Sequence, residues 1–167
     1  SLFANDGLVN YVLVNLGILD KPYNFLTQPF AAKMVILLGL LWRWTGYNMV
    51  FFLSGLQNIE YSVYEAAKID GASAIQTFFK ITVPLLKPTI LLTAIMSTNG
   101  TLQLFDESIN LTDGGPANAS ISMSHYIYNL CFKYVPNFGY AAAMSFFILL
   151  LVAVLAFIQM RVGDKRD

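Results

Sequence analysis

The sequence predicts an all-α membrane protein, and three observations support this fold class. Of the 167 residues, 56% are hydrophobic and only 12% are charged, whereas average globular domains are about 45–50% apolar and about 25% charged. Three apolar stretches are each long enough to cross a bilayer core of about 30 Å as a helix. Phenylalanine and tyrosine are abundant, with 13 and 9 copies. This composition indicates a surface that faces lipid rather than a large soluble core.

The three predicted spans cover residues 35–56, 85–105 and 138–160. The third is the cleanest, because the first two carry polar residues near their middles. Buried helices of a large soluble protein are the alternative, but such helices would look similar over only about 12 to 14 residues. We therefore expect a single transmembrane domain over residues 1–167.

Basic residues near the span ends predict the orientation of the chain. Six of them fall on one side and three on the other: Lys68, Lys80, Lys87, Arg161, Lys165 and Arg166 against Lys21, Lys33 and Lys133. This excess places the loop 57–84 and the tail 161–167 in the cytoplasm, and the segment 1–34 and the loop 106–137 outside. Because the start SLFANDGLVN has no initiator Met, basic region or cleavage site, we expect a fragment whose upstream part is missing.

The 57–84 loop is predicted to be helix, tight glycine turn, helix. The first helix should end at Asp70, because Gly71 directly after it accepts a left-handed conformation without steric cost. Ser73 is a good N-cap for a second helix, and Gln76 three residues later completes a capping-box pattern. The two helix axes should therefore meet at an angle at the glycine.

Pro84 and Pro88 are expected to end the second helix and to prepare the next span. A plain connector between two spans is the alternative for this loop. A connector rarely carries a cap, a turn glycine and a capping box in succession, and exposed aromatic side chains are costly on a free surface. The pattern therefore favours a surface that docks on a soluble partner.

The string EAAKIDGASAIQTFFKITVPLLKP resembles the loop signature of the membrane subunits of bacterial ATP-binding-cassette importers. The residues that match it are Glu65, Ala66, Ala67, Asp70, Gly71, Ala72, Phe78, Ile81, Pro84 and Pro88. The flanking segments WRWTGYNMVFFLSGLQNI and QLFDESINLTDGGPA are similar to carbohydrate permeases of the maltose and lactose class. The resemblance implies a MetI-like permease fold, with this chain as its C-terminal portion, in the bacterial cytoplasmic (inner) membrane.

The resemblance also implies how the chain would use ATP. The 57–84 loop would be the coupling element that sits in a cleft of a cytoplasmic ATPase dimer, through Glu65, Ala66, Ala67, Asp70, Gly71 and Ala72. Glu65 would meet a basic group of that ATPase, and Gly71 would give the bend. Since the sequence has no GxxxxGK[ST] phosphate loop, ATP and Mg²⁺ would bind the ATPase and not this chain. A second permease subunit and an extracellular or periplasmic sugar-binding protein would complete the importer.

Polar residues inside the first two spans predict a substrate path, because such residues are expensive in a membrane. Sugars need neutral hydrogen-bonding groups and a flat aromatic surface, which are supplied by Trp44, Tyr47, Asn48, Ser97 and Thr101. The polar residues of the first span and those of the second span both fall near the bilayer midplane, where transporters tend to bind their substrates. The alternative is that the small polar residues only allow close helix packing and interhelical hydrogen bonds.

Two other functions have less support in the sequence. A non-sugar cargo, such as an amino acid, a polyamine or a glycerol-phosphate-like solute, is the alternative within the same transporter class. A charged cargo would want fixed charges at the midplane, and Arg43 alone is available there. A membrane-embedded enzyme would need paired carboxylates or facing His and Asp residues, whereas the acids lie in loops, span ends or tails.

No catalytic or metal site is expected. The single histidine, His125, falls on a short amphipathic segment predicted at the outer surface, and Cys131 has no second cysteine to pair with. The formal net charge of zero provides no field that would attract nucleic acid.

Overall fold

The computed structural model describes residues 2–163, which form helices and loops without a strand in that range. The predicted tail residues 164–167, with Lys165 and Arg166, lie outside the described residues. The α-helices are α1 Leu8–Asn15, α2 Pro29–Gln57, α3 Tyr61–Ile69, α4 Ala74–Thr77, α5 Val83–Leu85, α6 Lys87–Leu102, α7 Met123–Tyr128 and α8 Phe138–Gly163. Three π-helical turns lie at Phe78–Thr82, Ser108–Thr112 and Asn129–Lys133. The predicted all-α fold class is confirmed.

Two helices in the described range are long and apolar enough to cross a membrane. α2 has 29 residues and α8 has 26, so at about 1.5 Å per residue both exceed a hydrocarbon core of about 30 Å. A third span is possible only as a bent pair, Ala74–Leu85 followed by α6, with an angle of 65° between them. The predicted limits of the three spans stay predictions, because helix ends do not mark the membrane surfaces.

The chain forms two compact units. Among the described residues, the first unit contains residues 2–42 and 100–150, and the second contains residues 43–99 and 151–163. The long helices α2, α6 and α8 each contribute residues to both units.

The first unit is built on the start of α2, with short helices before and after it. Its buried apolar side chains are Ala32, Val35, Ile36, Leu40, Leu130, Ala141 and Ile148. Asn10, which is 1% exposed, fixes the segment that precedes α2. Its Nδ2 donates to the carbonyls of Ala4 and Tyr23, and its Oδ1 accepts from the Tyr23 N–H at 2.8 Å. The buried side-chain amide of Asn10 thus links α1 to the loop that follows it.

The second unit brings the end of α2 against the start of α6. A Cβ atom added at Gly55 would lie 2.8 Å from Leu86 Cδ2 and 2.9 Å from Thr89 Oγ1. Leu86 is buried and lies at the break between α5 and α6. The absence of a side chain at Gly55 therefore lets α2 support the bend at which the loop turns into α6.

Candidate functional site

The glycine turn after α3 has the hydrogen bonds of a Schellman motif. Gly71 has φ +72° and its N–H donates to the Lys68 carbonyl at 3.1 Å. The next N–H, of Ala72, donates to the Ala67 carbonyl at 2.9 Å. The predicted left-handed glycine cap is therefore confirmed, and the turn satisfies the carbonyls at the end of α3.

The predicted capping box at the start of α4 is also present. The Gln76 N–H donates to Ser73 Oγ at 3.3 Å, and the Ser73 N–H donates to Gln76 Oε1 at 2.9 Å. Only Gly71 and Ala72 separate this cap from the one that ends α3, since Asp70 is the C-cap of α3. The bend is consequently two residues wide and closed by hydrogen bonds on both sides.

The second helix of the loop continues past Pro84 and ends at Leu86, between the two prolines that were expected to end it. A π-helical turn, Phe78–Thr82, follows α4, and the chain then continues as α5, Val83–Leu85. Pro84 is tolerated because it lies in the first turn of α5, where a missing N–H costs little. The break comes at Leu86, after which Pro88 lies in the first turn of α6.

One polar contact links α3 to the π-helical turn that follows α4. Ala67 is 5% exposed, and the Tyr64 hydroxyl lies 3.3 Å from Thr82 Oγ1. Of the six predicted coupling residues, Ala67 is therefore the one that is buried. The others reach the surface fully or in part: Glu65, Ala66, Asp70, Gly71 and Ala72.

Five large apolar side chains of the same element are exposed. We call this set of side chains the docking face, and its members are Tyr61, Ile69, Ile75, Phe78 and Phe79. Ile69 is 86% exposed, and the sequence analysis did not select it. The available signal was its place directly before the charged C-cap Asp70, at the tip of the bend. Large exposed apolar side chains beside charged residues are typical of interaction surfaces.

Four of the five residues predicted to line the substrate path lie in the second unit, and two of them are hydrogen-bonded. Asn48 Nδ2 lies 3.1 Å from Ser97 Oγ, and Ser97 Oγ lies 3.3 Å from Asn48 Oδ1. Trp44 and Tyr47 stack edge to face with ring centroids 5.5 Å apart. Thr101 belongs to the first unit and is exposed, so its assignment rests on sequence spacing alone.

The polar region of the second unit has donors and acceptors without a hydrogen-bond partner in the described chain. They are Trp44 Nε1, Asn99 Oδ1 and Gln159 Oε1, all buried. Gln159, which the sequence analysis missed, also donates from Nε2 to Thr98 Oγ1 at 2.7 Å. The Arg43 guanidinium lies 5.4 Å from the centre of the Trp44 ring. Neutral amide and hydroxyl groups therefore dominate this region, together with two aromatic rings.

A second polar cluster lies in the first unit and was not predicted. Ser108, which is fully buried, donates from Oγ to the Ser120 carbonyl at 2.9 Å and accepts from the Ser122 N–H at 3.1 Å. The same oxygen lies 2.9 Å from His125 Nδ1. His125 is also fully buried. The ring therefore lies inside the first unit, in contact with Ser108, and the prediction that the segment around it lies at the outer surface of the membrane stays a prediction.

The charge environment of His125 is mixed. Its Nε2 lies 3.7 Å from Asp113 Oδ1, and Asp113 also pairs with Lys133 Nζ at 3.1 Å. Burial lowers the pKa of His125, the Asp113 carboxylate opposes this shift, and the Lys133 ammonium adds to it. Within residues 2–163, no group of three or more His, Cys, Asp or Glu side chains is arranged to hold a metal ion.

Residues 7–166 match the family described as binding-protein-dependent transport system inner membrane component. The chain belongs to this family. The permease is 53% identical over 168 residues to the lactose transport system permease protein LacF of Rhizobium radiobacter, a match that covers 99% of the chain and 56% of LacF. It thus spans about half the length of the curated relatives that it matches.

Solved structures support the same assignment. The permease superposes on a chain of a bacterial transporter that imports the acidic polysaccharide alginate, with TM-score 0.80 and 26% identity over 94% of this chain and 54% of the other. A second structure, the alginate transporter in complex with an alginate pentasaccharide-bound periplasmic protein, has TM-score 0.69 and 27% identity over 95% and 53% of the two chains. The MetI-like permease fold predicted from the sequence is confirmed. LacF is named a transport system permease protein, and the family is described as an inner membrane component of transport systems.

Proposed function

We propose that this chain is part of the membrane-spanning subunit of an ATP-driven importer, and that it couples to a cytoplasmic ATPase through the 57–84 loop. The observation that carries the proposal is the doubly capped bend at Gly71. Because hydrogen bonds close the bend on both sides, the loop can transmit a displacement without unfolding locally. Its docking face offers apolar area, and the exposed Glu65 and Asp70 offer charge for a basic groove.

In this proposal a partner protein, the ATPase, supplies the energy for transport. ATP and Mg²⁺ bind the ATPase dimer, which closes on ATP binding and moves the docked loop. A ligand shifts such an equilibrium only by its differential contacts with the two states. A second permease subunit completes the path, and an extracellular or periplasmic binding protein delivers the cargo, as in the alginate complex.

The proposed cargo is a sugar or oligosaccharide. The second unit supplies what a neutral polyol requires, namely the amide and hydroxyl of Asn48 and Ser97 and the rings of Trp44 and Tyr47. The buried Trp44 Nε1 is a donor and the buried Asn99 Oδ1 an acceptor, and neither has a partner in the described chain. Hydroxyl groups can satisfy both at once. A non-sugar solute of the same transporter class is the competing cargo.

Charge reversal at two glutamates tests the coupling role. The full-length permease with its partner permease and ATPase is reconstituted in proteoliposomes, and ATP-driven uptake is measured for Glu65→Lys and for Glu60→Lys. We expect Glu65→Lys to reduce uptake about tenfold, because it turns an attractive contact with a basic groove into repulsion. Glu60, at the N-cap of α3, is the matched exposed control and should leave uptake within about twofold. Equal uptake in both variants would remove the coupling role without affecting family membership.

Variants at two interhelical polar contacts distinguish a role in substrate binding from a role in helix packing. Ser97→Ala and Thr98→Val each remove one such contact of α6, but only Ser97 is in the proposed path. Concentration dependence of uptake is measured for lactose, with glutamate, spermidine and glycerol 3-phosphate as competing cargoes. Ser97→Ala should change the apparent KM for lactose, whereas Thr98→Val should change stability alone. Transport of one of the charged solutes in place of any saccharide would establish the alternative cargo.

A further inference from the structure

A groove of about 390 Å³ lies in the second unit and is not used by the proposed transport mechanism. Leu91 of α6 and Phe157, Met160 and Arg161 of α8 line it. Leu91 approaches α8 closely, since a Cβ atom at Gly163 would lie 2.6 Å from Leu91 Cδ1. Three walls of the groove are thus apolar, and the fourth carries a guanidinium.

The guanidinium of the exposed Arg161 lies beside an aromatic ring. Its Cζ lies 5.4 Å from the centre of the Phe157 ring, one helical turn earlier. Stacking on an aromatic face holds the planar fork in place while its N–H groups stay available as donors. That fork matches a phosphate geometrically, and arginine is less strongly hydrated than lysine.

The length of α8 leaves room for its last turn outside a hydrocarbon core. α8 has 26 residues, about 39 Å at 1.5 Å per residue, and therefore extends beyond a hydrocarbon core of about 30 Å. Arg161 is the only charged residue between Phe138 and Gly163, and it lies in the last turn of the helix. In that arrangement the apolar walls face the first part of an acyl chain, while the cation reaches the headgroup layer.

We propose that this groove binds an anionic phospholipid. The phosphate pairs with Arg161, and the first part of an acyl chain lies against Leu91, Phe157 and Met160. A pocket between membrane helices that carries a basic residue at headgroup depth has the chemistry for anionic headgroups. A zwitterionic lipid satisfies the apolar walls equally well but neutralises the phosphate with its own cation. The groove therefore selects lipids by net charge.

Lipid retention by the purified transporter tests this proposal. The complex that contains the full-length permease is equilibrated with equal amounts of phosphatidylglycerol and phosphatidylcholine, and the lipids retained are counted by native mass spectrometry. We expect Arg161→Gln to reduce retained phosphatidylglycerol about fivefold, the effect of one basic side chain at an anionic surface. Arg161→Lys keeps the charge but loses the fork, so its retention should be intermediate. Lys33→Gln removes an exposed cation from another helix and should leave retention unchanged.

Three results would overturn the proposal. Wild-type complexes could retain both lipids equally, which would show an unselective apolar groove. Arg161→Gln could retain as much phosphatidylglycerol as Lys33→Gln does. Finally, excess inorganic phosphate could displace the Arg161-dependent lipid completely, which would identify a site for free anions rather than for a phospholipid.

Discussion

Ser108 Oγ lies 2.9 Å from His125 Nδ1, and both side chains are fully buried. With Asp113 on the far side of the ring, the arrangement superficially resembles a nucleophile with its base. However, the Ser108 hydroxyl already donates to the Ser120 carbonyl and accepts from the Ser122 N–H. A nucleophile must be reachable by its substrate and activated by its base. The three-way contact of Ser108 is therefore a structural centre for the loop.

Removal of that centre should destabilise the loop strongly. Ser108→Ala leaves the Ser122 N–H, the Ser120 carbonyl and His125 Nδ1 without their shared partner. One such buried unsatisfied group costs about 1–3 kcal/mol. Hydrogen exchange of residues 108–133 in the purified transporter should therefore show a loss of local stability of about 2–3 kcal/mol.

Ser145→Ala is the matched control for this change. The Ser145 hydroxyl donates only to the Ala141 carbonyl of its own helix, and the residue is exposed. Its replacement should change stability by less than about 0.5 kcal/mol. Similar exchange protection in the two variants would show that Ser108 does not hold the loop together.

Acidification should weaken the same loop. Burial lowers the pKa of His125 below its ordinary value of 6.5, although the Asp113 carboxylate opposes the shift and the Lys133 ammonium adds to it. Between the two pKa values the unfolded loop binds more protons than the folded one, so stability rises with pH. The stabilisation is therefore complete above the unfolded pKa and decreases as the pH falls through it.

The pH effect can be measured by hydrogen exchange at about pH 7.5 and about pH 5.5, which bracket an unperturbed histidine. Wild type should lose protection in residues 108–133 at the lower pH relative to His125→Gln, which cannot titrate. A gain in protection on acidification would mean that pairing of the protonated ring with Asp113 outweighs the cost of burial.

The bend at Gly71 should not accept a side chain. Its φ is +72°, and no atom would lie within 4 Å of an added Cβ, so Gly71→Ala acts through backbone strain of about 1–2 kcal/mol. Gly17, with φ +70° and equally open surroundings, ends α1 with the same pair of bonds, 17 to 14 and 18 to 13. Both variants should lose similar local stability.

Only Gly71→Ala should change energy coupling. We expect a reduced ratio of transported substrate to hydrolysed ATP for Gly71→Ala and an unchanged ratio for Gly17→Ala, measured in proteoliposomes. A reduced ratio in both would trace the effect to general destabilisation and not to the geometry of the coupling element.

Replacement by alanine should have different effects on thermal stability at two glycines of α2. Alanine is favoured over glycine by about 1 kcal/mol inside a helix, and at Gly46 nothing lies within 4 Å of the new Cβ. At Gly55 the Cβ would lie 2.8 Å from the buried Leu86, and overpacking of this kind costs about 1–3 kcal/mol. Thermal unfolding of the purified complex should show Gly46→Ala as neutral or stabilised and Gly55→Ala as destabilised. Equal shifts would mean that α2 and the bend at Leu86 are not in close contact.

The sequence predicted the features whose partners are close along the chain. The glycine cap and the capping box each involve residues within five positions, so the residue types alone specify the geometry. The apolar spans were also visible, because lipid exposure removes charge over a whole helix. In contrast, Pro84 was assigned as a terminator, since a π-helical turn gives no clear signal in the sequence.

Contacts between distant segments could not be predicted in this way. Ser108 and His125 are 17 residues apart, and Thr98 and Gln159 are 61 apart. A histidine among apolar residues on a short helix reads equally well as exposed or as buried. His125 is buried against the hydroxyl of Ser108, and the position of that hydroxyl depends on the fold of the loop rather than on the local sequence pattern.

Ser97 and Thr98 are neighbours on α6, yet they bond to different helices, α2 through Asn48 and α8 through Gln159. Successive side chains of an α-helix point about 100° apart. A roll of α6 about its own axis would therefore lengthen at least one of the two contacts. While both hold, rotation of α6 about its axis is opposed on two sides, by Asn48 of α2 and by Gln159 of α8.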